Sequence, residues 1–101
     1  MNREEEISFR VIANCGEATS CYIEAMNLAR EGKIDEARAM VEQGQKASIE
    51  GHRAHMELLT AEANGEKTNV GLLLIHAEDQ LNKCEILEIM ANQKIEDCAN
   101  K

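Results

Sequence analysis

The sequence contains no proline and no tryptophan, and its only phenylalanine and tyrosine are Phe9 and Tyr22. Proline breaks helices because it lacks a backbone N–H and clashes with the preceding turn, so its absence permits long uninterrupted helices. Strands are enriched in aromatic and β-branched residues, so this aromatic-poor composition favours helices. The 101 residues match the usual size of one domain. We therefore expect one all-α domain over residues 1–101.

Positive charge is scarce as well. Eleven Lys and Arg against nineteen Asp and Glu give a formal net charge of −8, the wrong sign for nucleic acid or an anionic membrane surface. The N-terminus lacks an apolar signal region, and no apolar run approaches the roughly 20 residues that span a bilayer. We expect a soluble, cytoplasmic protein that neither binds nucleic acid nor inserts directly into a membrane.

The four cysteines, Cys15, Cys21, Cys84 and Cys98, form no CxxC motif. Their spacing fits neither a zinc site nor the disulfide framework of a small secreted domain. We therefore expect reduced thiols in the core.

Apolar and small residues recur at steps of three and four along the whole chain, which predicts helices. The pattern predicts three helices, over about residues 3–31, 34–64 and 68–99, with Thr68 or Asn69 as the N-cap of the third. Gly32 and Gly65 follow the first two helices at positions typical of left-handed C-terminal residues. Short turns there make the helices antiparallel neighbours in a three-helix bundle.

The middle of the second helix carries small and polar residues where large apolar groups would ordinarily pack. Gly44 and Gly51 lie on its predicted inner stripe, which indicates that another element approaches closely. His52 and His55 have the i, i+3 spacing found in metal pairs, but no further ligands surround them. Packing or a solvated surface is the better interpretation of these two histidines.

The third helix has two stripes instead of one, which predicts a buried surface and an intersubunit seam. The mixed apolar and ionisable character of the second stripe suits contact with another subunit, and a thin three-helix rod has a limited core of its own. The core stripe comprises Val70, Leu74, Ala77, Leu81, Cys84, Leu87, Ala91, Ile95 and Cys98. The second comprises Leu72, His76, Asp79, Lys83, Ile86, Met90 and Gln93.

His76 and Asp79 are the strongest candidates for chemistry, and a helix places them on one face about a turn apart. His76 is either a partly buried histidine satisfied by a nearby carboxylate or a nucleophile toward phosphorus. Asp79 is either an exposed partner of Lys83 at i+4 or a residue on a symmetry axis. On an axis its copies would repel unless they were protonated or bridged by a hard cation.

Residues 70–81, Val-Gly-Leu-Leu-Leu-Ile-His-Ala-Glu-Asp-Gln-Leu, resemble the signature of a known family. That family is the enzyme IIA component of the lactose/cellobiose (N,N′-diacetylchitobiose) branch of the sugar phosphotransferase system, which reads approximately V-x-L-x-x-x-H-[AG]-Q-D-H-L there. Gly16, Ala18 and Ser20 resemble its first-helix G-x-A-x-S pattern, and His52 falls where the family has a histidine in its second helix.

The resemblance implies a three-helix bundle that assembles as a homotrimer with nine helices. It implies that His76 accepts a phosphoryl group from the histidine-containing phosphocarrier protein and passes it to the cysteine of a IIB domain, for uptake of disaccharides of the lactose, cellobiose or chitobiose type. It also implies that Asp79 lies on the three-fold axis, where a divalent metal ion, expected to be Mg²⁺, can neutralise its copies. No organic cofactor is expected.

Four positions depart from the family pattern. Gln80 stands where the family usually has a second histidine that helps hold the phosphoryl group; glutamine can donate a hydrogen bond there but cannot carry charge. Glu78 replaces a usual glutamine and adds negative charge near the site, His55 replaces another glutamine, and Asn82 replaces a methionine. A second hypothesis is therefore a non-catalytic acidic oligomeric bundle that acts as a binding or regulatory module.

Overall fold

The chain folds as three long helices in a computed structural model that describes all of residues 1–101. Helix α1 spans Arg3–Arg30, α2 spans Ile34–Ala63 and α3 spans Leu72–Ala99. They lie side by side in a rod of 52 × 21 × 17 Å. The predicted all-α fold is confirmed. None of the three helices combines the length and apolar character that crossing a membrane requires.

The two turns form at the predicted glycines. Gly32 and Gly65 have φ angles of 83° and 89°, a left-handed conformation that glycine adopts without steric cost. After α1, the backbone N–H of Lys33 returns to the carbonyl of Leu28 at 2.9 Å, which closes the helix end. Consecutive helices therefore reverse direction within a few residues.

The predicted start of α3 at Thr68 or Asn69 is wrong, because the helix begins at Leu72 with extended Gly71 as its N-cap. The segment just before the helix instead contacts α1. The backbone N–H of Asn69 donates to Glu4 Oε1 at 3.4 Å, so it serves a tertiary contact with α1. Val70 therefore lies outside the helix and is 69% exposed. Its predicted place in the buried core stripe of α3 is wrong.

The core runs along the axis of the rod and draws on all three helices. It consists largely of small and medium-sized apolar residues, with Tyr22 as the largest fully buried side chain. The Tyr22 hydroxyl donates to Glu88 Oε1 at 3.0 Å, which satisfies its polar end. The buried apolar residues of the core are Ile7, Val11, Cys15, Ala18, Tyr22, Ala25, Ala29, Ala37, Val41, Ala47, Ala54, Leu58, Leu74, Ala77, Leu81, Cys84, Ala91 and Ile95.

Helices α1 and α2 meet most closely at the glycines of α2. A Cβ atom added to Gly44 would lie 2.6 Å from Tyr22 Cε1, and one added to Gly51 would lie 3.3 Å from Cys15 Sγ. The first distance is shorter than any ordinary carbon contact, so only glycine fits without displacing the ring. The predicted close approach to the middle of α2 is confirmed.

The thiols are free, and three of the four are buried. Burial raises the pKa of Cys15 to about 12 and also raises the pKa of Cys84. Cys84 Sγ contacts Ser48 Oγ at 3.8 Å. The buried cysteines therefore act as small apolar residues of the core, as the sequence predicts; Cys98 is only half-buried.

Candidate functional site

His76 is the fifth residue of α3, in its second turn, and its side chain is exposed. The other two histidines each contact a glutamate: His52 contacts Glu85 and His55 contacts Glu78. The interpretation of His76 as a partly buried histidine satisfied by a carboxylate is therefore wrong. Its imidazole is accessible to another protein.

The exposed side of α3 is unusually apolar. Leu72 is 82% exposed, and Ile86 and Met90 are also exposed, along with His76 and Asp79. The opposite side is buried along most of the helix from Leu74 onward, with Leu87 and Cys98 half-buried, so the two predicted stripes correspond to two physically distinct surfaces. We call the exposed surface the outer face of α3; its residues are Leu72, Ile75, His76, Asp79, Lys83, Ile86 and Met90.

Gln80 lies one turn after His76 and is half-buried. Its Oε1 accepts a hydrogen bond from Lys83 Nζ at 2.7 Å, which leaves the amide N–H groups as its donors. Lys83, which one of the two interpretations of Asp79 made its partner, contacts Gln80 instead. The His76 ring, the Gln80 amide and the Lys83 ammonium thus lie on adjacent turns, where an anion on His76 would meet donors and positive charge.

The N-terminus of α3 differs from those of the other two helices. Glutamates occupy the first turn of α1, and Asp35 and Glu36 that of α2. The first turn of α3 has no acidic residue and no side chain capping its N–H groups. Helical side chains lean toward the N-terminus, so we expect a group carried by His76 to be directed toward the positive end of the helix dipole. Negative charge on this ring is stabilised there.

Asp79 presents one exposed carboxylate on the outer face. No group of three or more His, Cys, Asp or Glu side chains within the chain is close enough to hold a metal ion. The carboxylate is a donor that hard divalent cations prefer, but one chain supplies only one. A metal site at Asp79 consequently requires copies from other subunits.

His52 and His55 both face α3. His52 Nε2 lies 2.9 Å from Glu85 Oε1, and His55 Nδ1 lies 2.6 Å from Glu78 Oε1. The sequence predicted packing or a solvated surface for these two histidines, and neither glutamate partner was predicted. The spacing could have suggested these pairs. Residues three apart on a helix, such as His52 and His55, share one face, and so do residues seven apart, such as Glu78 and Glu85 on the antiparallel neighbour.

The chain is similar to proteins of one known family. Residues 6–98 match the family described as "PTS system, Lactose/Cellobiose specific IIA subunit". The chain is 40% identical over 78 residues to the oligo-beta-mannoside-specific EIIA component of Bacillus subtilis, covering 77% of this chain and 71% of that protein. It is 33% identical over 98 residues to the lactose-specific EIIA component of Staphylococcus epidermidis, covering 95% and 94%.

The backbone agrees equally well with a solved structure. The crystal structure of the cellobiose-specific enzyme IIA from Bacillus anthracis superposes with a TM-score of 0.95 at 36% identity, covering 99% of this chain and 92% of that one. The family match spans nearly the whole chain. This chain therefore belongs to the lactose/cellobiose-specific IIA family of the sugar phosphotransferase system, whose members are phosphotransferase carriers.

Proposed function

We propose that this chain is a cytoplasmic phosphocarrier that accepts a phosphoryl group on His76 from the histidine-containing phosphocarrier protein. It then passes the group to the cysteine of a IIB domain, for uptake of disaccharides of the lactose, cellobiose or chitobiose type. The observation that carries the proposal is the exposure of His76 within the region that matches the family. An acceptor that reacts with two different proteins must be open to both.

The chemistry requires only a neutral imidazole and an environment that tolerates phosphate. In the first step a ring nitrogen of His76 bonds to phosphorus as the phosphorus–nitrogen bond of the donor breaks. In the second, the IIB thiolate bonds to phosphorus and the His76 bond breaks. The Gln80 amide donates to the phosphoryl oxygens, while Lys83 holds the Gln80 carbonyl. The dipole of α3 stabilises the added charge.

We propose further that the chain works as a homotrimer joined through the part of the outer face around Asp79, Ile86 and Met90. His76 lies about 60° around the helix from Asp79, so it stays open at the edge of this contact. Exposed apolar side chains such as Leu72, Ile86 and Met90 are costly in water and suit a contact with other copies. Copies of Asp79 would then meet at the three-fold axis, where a divalent ion such as Mg²⁺ would be bound by their carboxylates and offset their repulsion.

Phosphorylation tests the carrier function directly. The chain is incubated with phosphoenolpyruvate and the general phosphotransferase proteins and then analysed by intact-mass spectrometry. Wild type and His52→Ala should each gain one acid-labile phosphate, whereas His76→Ala should gain none and keep its helical circular dichroism. An unmodified wild type would show that the carrier function is wrong and would favour the alternative of an acidic binding or regulatory bundle.

A further inference from the structure

A close side-chain pair joins α2 to α3 near the proposed phosphoryl acceptor. His55 Nδ1 lies 2.6 Å from Glu78 Oε1, and the two side chains are 21% and 39% exposed. A hydrogen bond from an imidazole N–H to a carboxylate is stronger than one between neutral groups. Because His55 is largely covered, it gives the more exposed Glu78 a fixed partner.

The direction of Glu78 matters because it lies only two residues after His76. Two residues correspond to a rotation of about 200° around a helix, so the two side chains leave opposite sides of α3. His76 belongs to the outer face, and Glu78 points toward α2, where it meets His55. The negative charge of Glu78 therefore lies on the opposite side of α3 from His76, against α2.

Without a partner, Glu78 would be less restricted. Its Cβ stays on the opposite side of α3 from His76, but the side chain has three rotatable bonds and is partly solvent-accessible. The carboxylate end of a free Glu78 could therefore move along the helix surface toward His76. A phosphoryl group on His76 carries negative charge, and a mobile carboxylate nearby would oppose its arrival. The position of this one carboxylate can therefore affect transfer without Glu78 touching the reacting atoms.

We propose that His55 is a positioning residue that holds the Glu78 carboxylate against α2 and so lowers its repulsion toward a phosphoryl group on His76. This inference rests on the phosphocarrier function proposed above. The His55–Glu78 pair, on the side of α3 that faces α2, thereby influences the transfer step electrostatically. Gln80 and the helix dipole act on the side of α3 that carries His76.

The chain contains a matched control for this pair. His52 and Glu85 connect the same two helices through the same chemistry, with Nε2 and Oε1 2.9 Å apart. Glu85 lies seven residues beyond Glu78, which is roughly 10 Å further along α3 at 1.5 Å per residue. A contribution to helix packing is common to both pairs, whereas an effect on charge near His76 belongs to Glu78 alone.

The experiment measures the rate of phosphoryl transfer from the phosphorylated histidine-containing phosphocarrier protein to each variant. His55→Leu should slow transfer roughly two- to threefold at low salt, because it leaves a charged carboxylate free to approach the phosphoryl group. Adding Glu78→Gln to His55→Leu should restore the rate, since the mobile side chain is then neutral. His55→Gln should retain the rate, because its amide still donates. His52→Leu should leave the rate unchanged.

Salt dependence separates electrostatics from a packing defect. The screening length falls from about 30 Å at 0.01 M salt to about 3 Å at 1 M, so the ratio of wild-type to His55→Leu rates should approach one as salt rises. If His55→Leu does not fold, as judged by circular dichroism, Glu78→Asp takes its place. Its carboxylate is too short to reach His55 but keeps its charge, so it should show the same salt-dependent slowing.

Three results would overturn the inference while leaving the phosphocarrier function standing. They are an unchanged rate in His55→Leu, an equal loss in His52→Leu, and a slow His55→Leu/Glu78→Gln double variant, each with wild type phosphorylated on His76. A wild-type chain that accepts no phosphoryl group would instead overturn both proposals.

Discussion

The two sides of α3 come from the same helix but have opposite relations to solvent. On the inner side, Leu74, Leu81 and Ile95 are buried against α1 and α2. On the outer side, Leu72 and Ile86 are equally apolar yet exposed. Hydropathy alone does not distinguish these two sets, because both contain large aliphatic residues at helical spacing. The inner side stabilises the single chain, and the outer side is available for a second copy and for chemistry at His76.

The strongest test of this difference places charge on the outer side. Ile86→Lys combined with Met90→Lys should dissociate the proposed trimer, because a lysine buried at each copy of the interface costs several kcal/mol. Sedimentation equilibrium should show the mass falling toward that of one chain, with helical circular dichroism retained. Ile49→Lys, an equally exposed position on α2, serves as the matched control. A double variant with wild-type mass would contradict assembly through this face.

A truncation on each side should next separate folding from assembly. Leu81→Ala should lower the free energy of unfolding by about 2–5 kcal/mol at every protein concentration, because it leaves a cavity in the chain's own core. Leu72→Ala should cost less, and only to the extent that subunits associate, so its effect should vary with protein concentration. Urea unfolding at several concentrations measures both. Concentration-independent losses of equal size would remove the distinction.

Chelation tests whether copies of Asp79 meet at an axis. EDTA should lower the unfolding temperature of wild type by a few degrees, since a saturating bound ion contributes about 2–3 kcal/mol. Asp79→Asn should not respond, because it lacks the carboxylates that are proposed to bind the ion. Differential scanning calorimetry with added Mg²⁺ should show recovery in wild type alone. An equal response in both proteins would place the metal elsewhere.

The smallest expected effect comes from a thiol on the inner side. Because the pKa of Cys15 is raised to about 12 in the folded chain from an ordinary value of 9.0, the native state keeps a proton that the unfolded state loses. The contribution of the protonated Cys15 thiol to the free energy of unfolding is complete below about pH 9. It declines by up to about 1.4 kcal/mol per pH unit as the pH rises toward 12. Cys15→Ala should therefore lose stability less steeply between about pH 9 and pH 11 in urea unfolding. An unchanged slope would contradict this assignment.

Local pattern was enough to predict most of the fold. Helix α1 was predicted over residues 3–31 and spans Arg3–Arg30, and α2 was predicted over 34–64 and spans Ile34–Ala63. Glycine's freedom to adopt positive φ marked both turns at Gly32 and Gly65. The start of α3 was predicted a few residues too early, in a segment where the backbone N–H of Asn69 contacts Glu4 near the N-terminus, a contact that local pattern does not reveal.

The candidate site was predictable to a similar extent. The spacing of His76 and Asp79 indicated a shared face, and both are exposed on it. The partner of Glu78 was not predicted, and neither was that of Lys83, which contacts Gln80 and not Asp79. Long flexible side chains can reach several neighbours, so sequence spacing leaves their actual partners open.

The sequence by itself determined that the chain forms three helices, that α3 has an inner and an outer side, and that the motif around His76 belongs to a phosphotransferase family. These properties follow from helical periodicity and from residue identities at fixed spacing. Only the tertiary structure decided where α3 begins and that Glu78 contacts His55 on the side of α3 opposite His76. Those outcomes depend on groups that lie far apart in the sequence and meet only once the three helices have packed together.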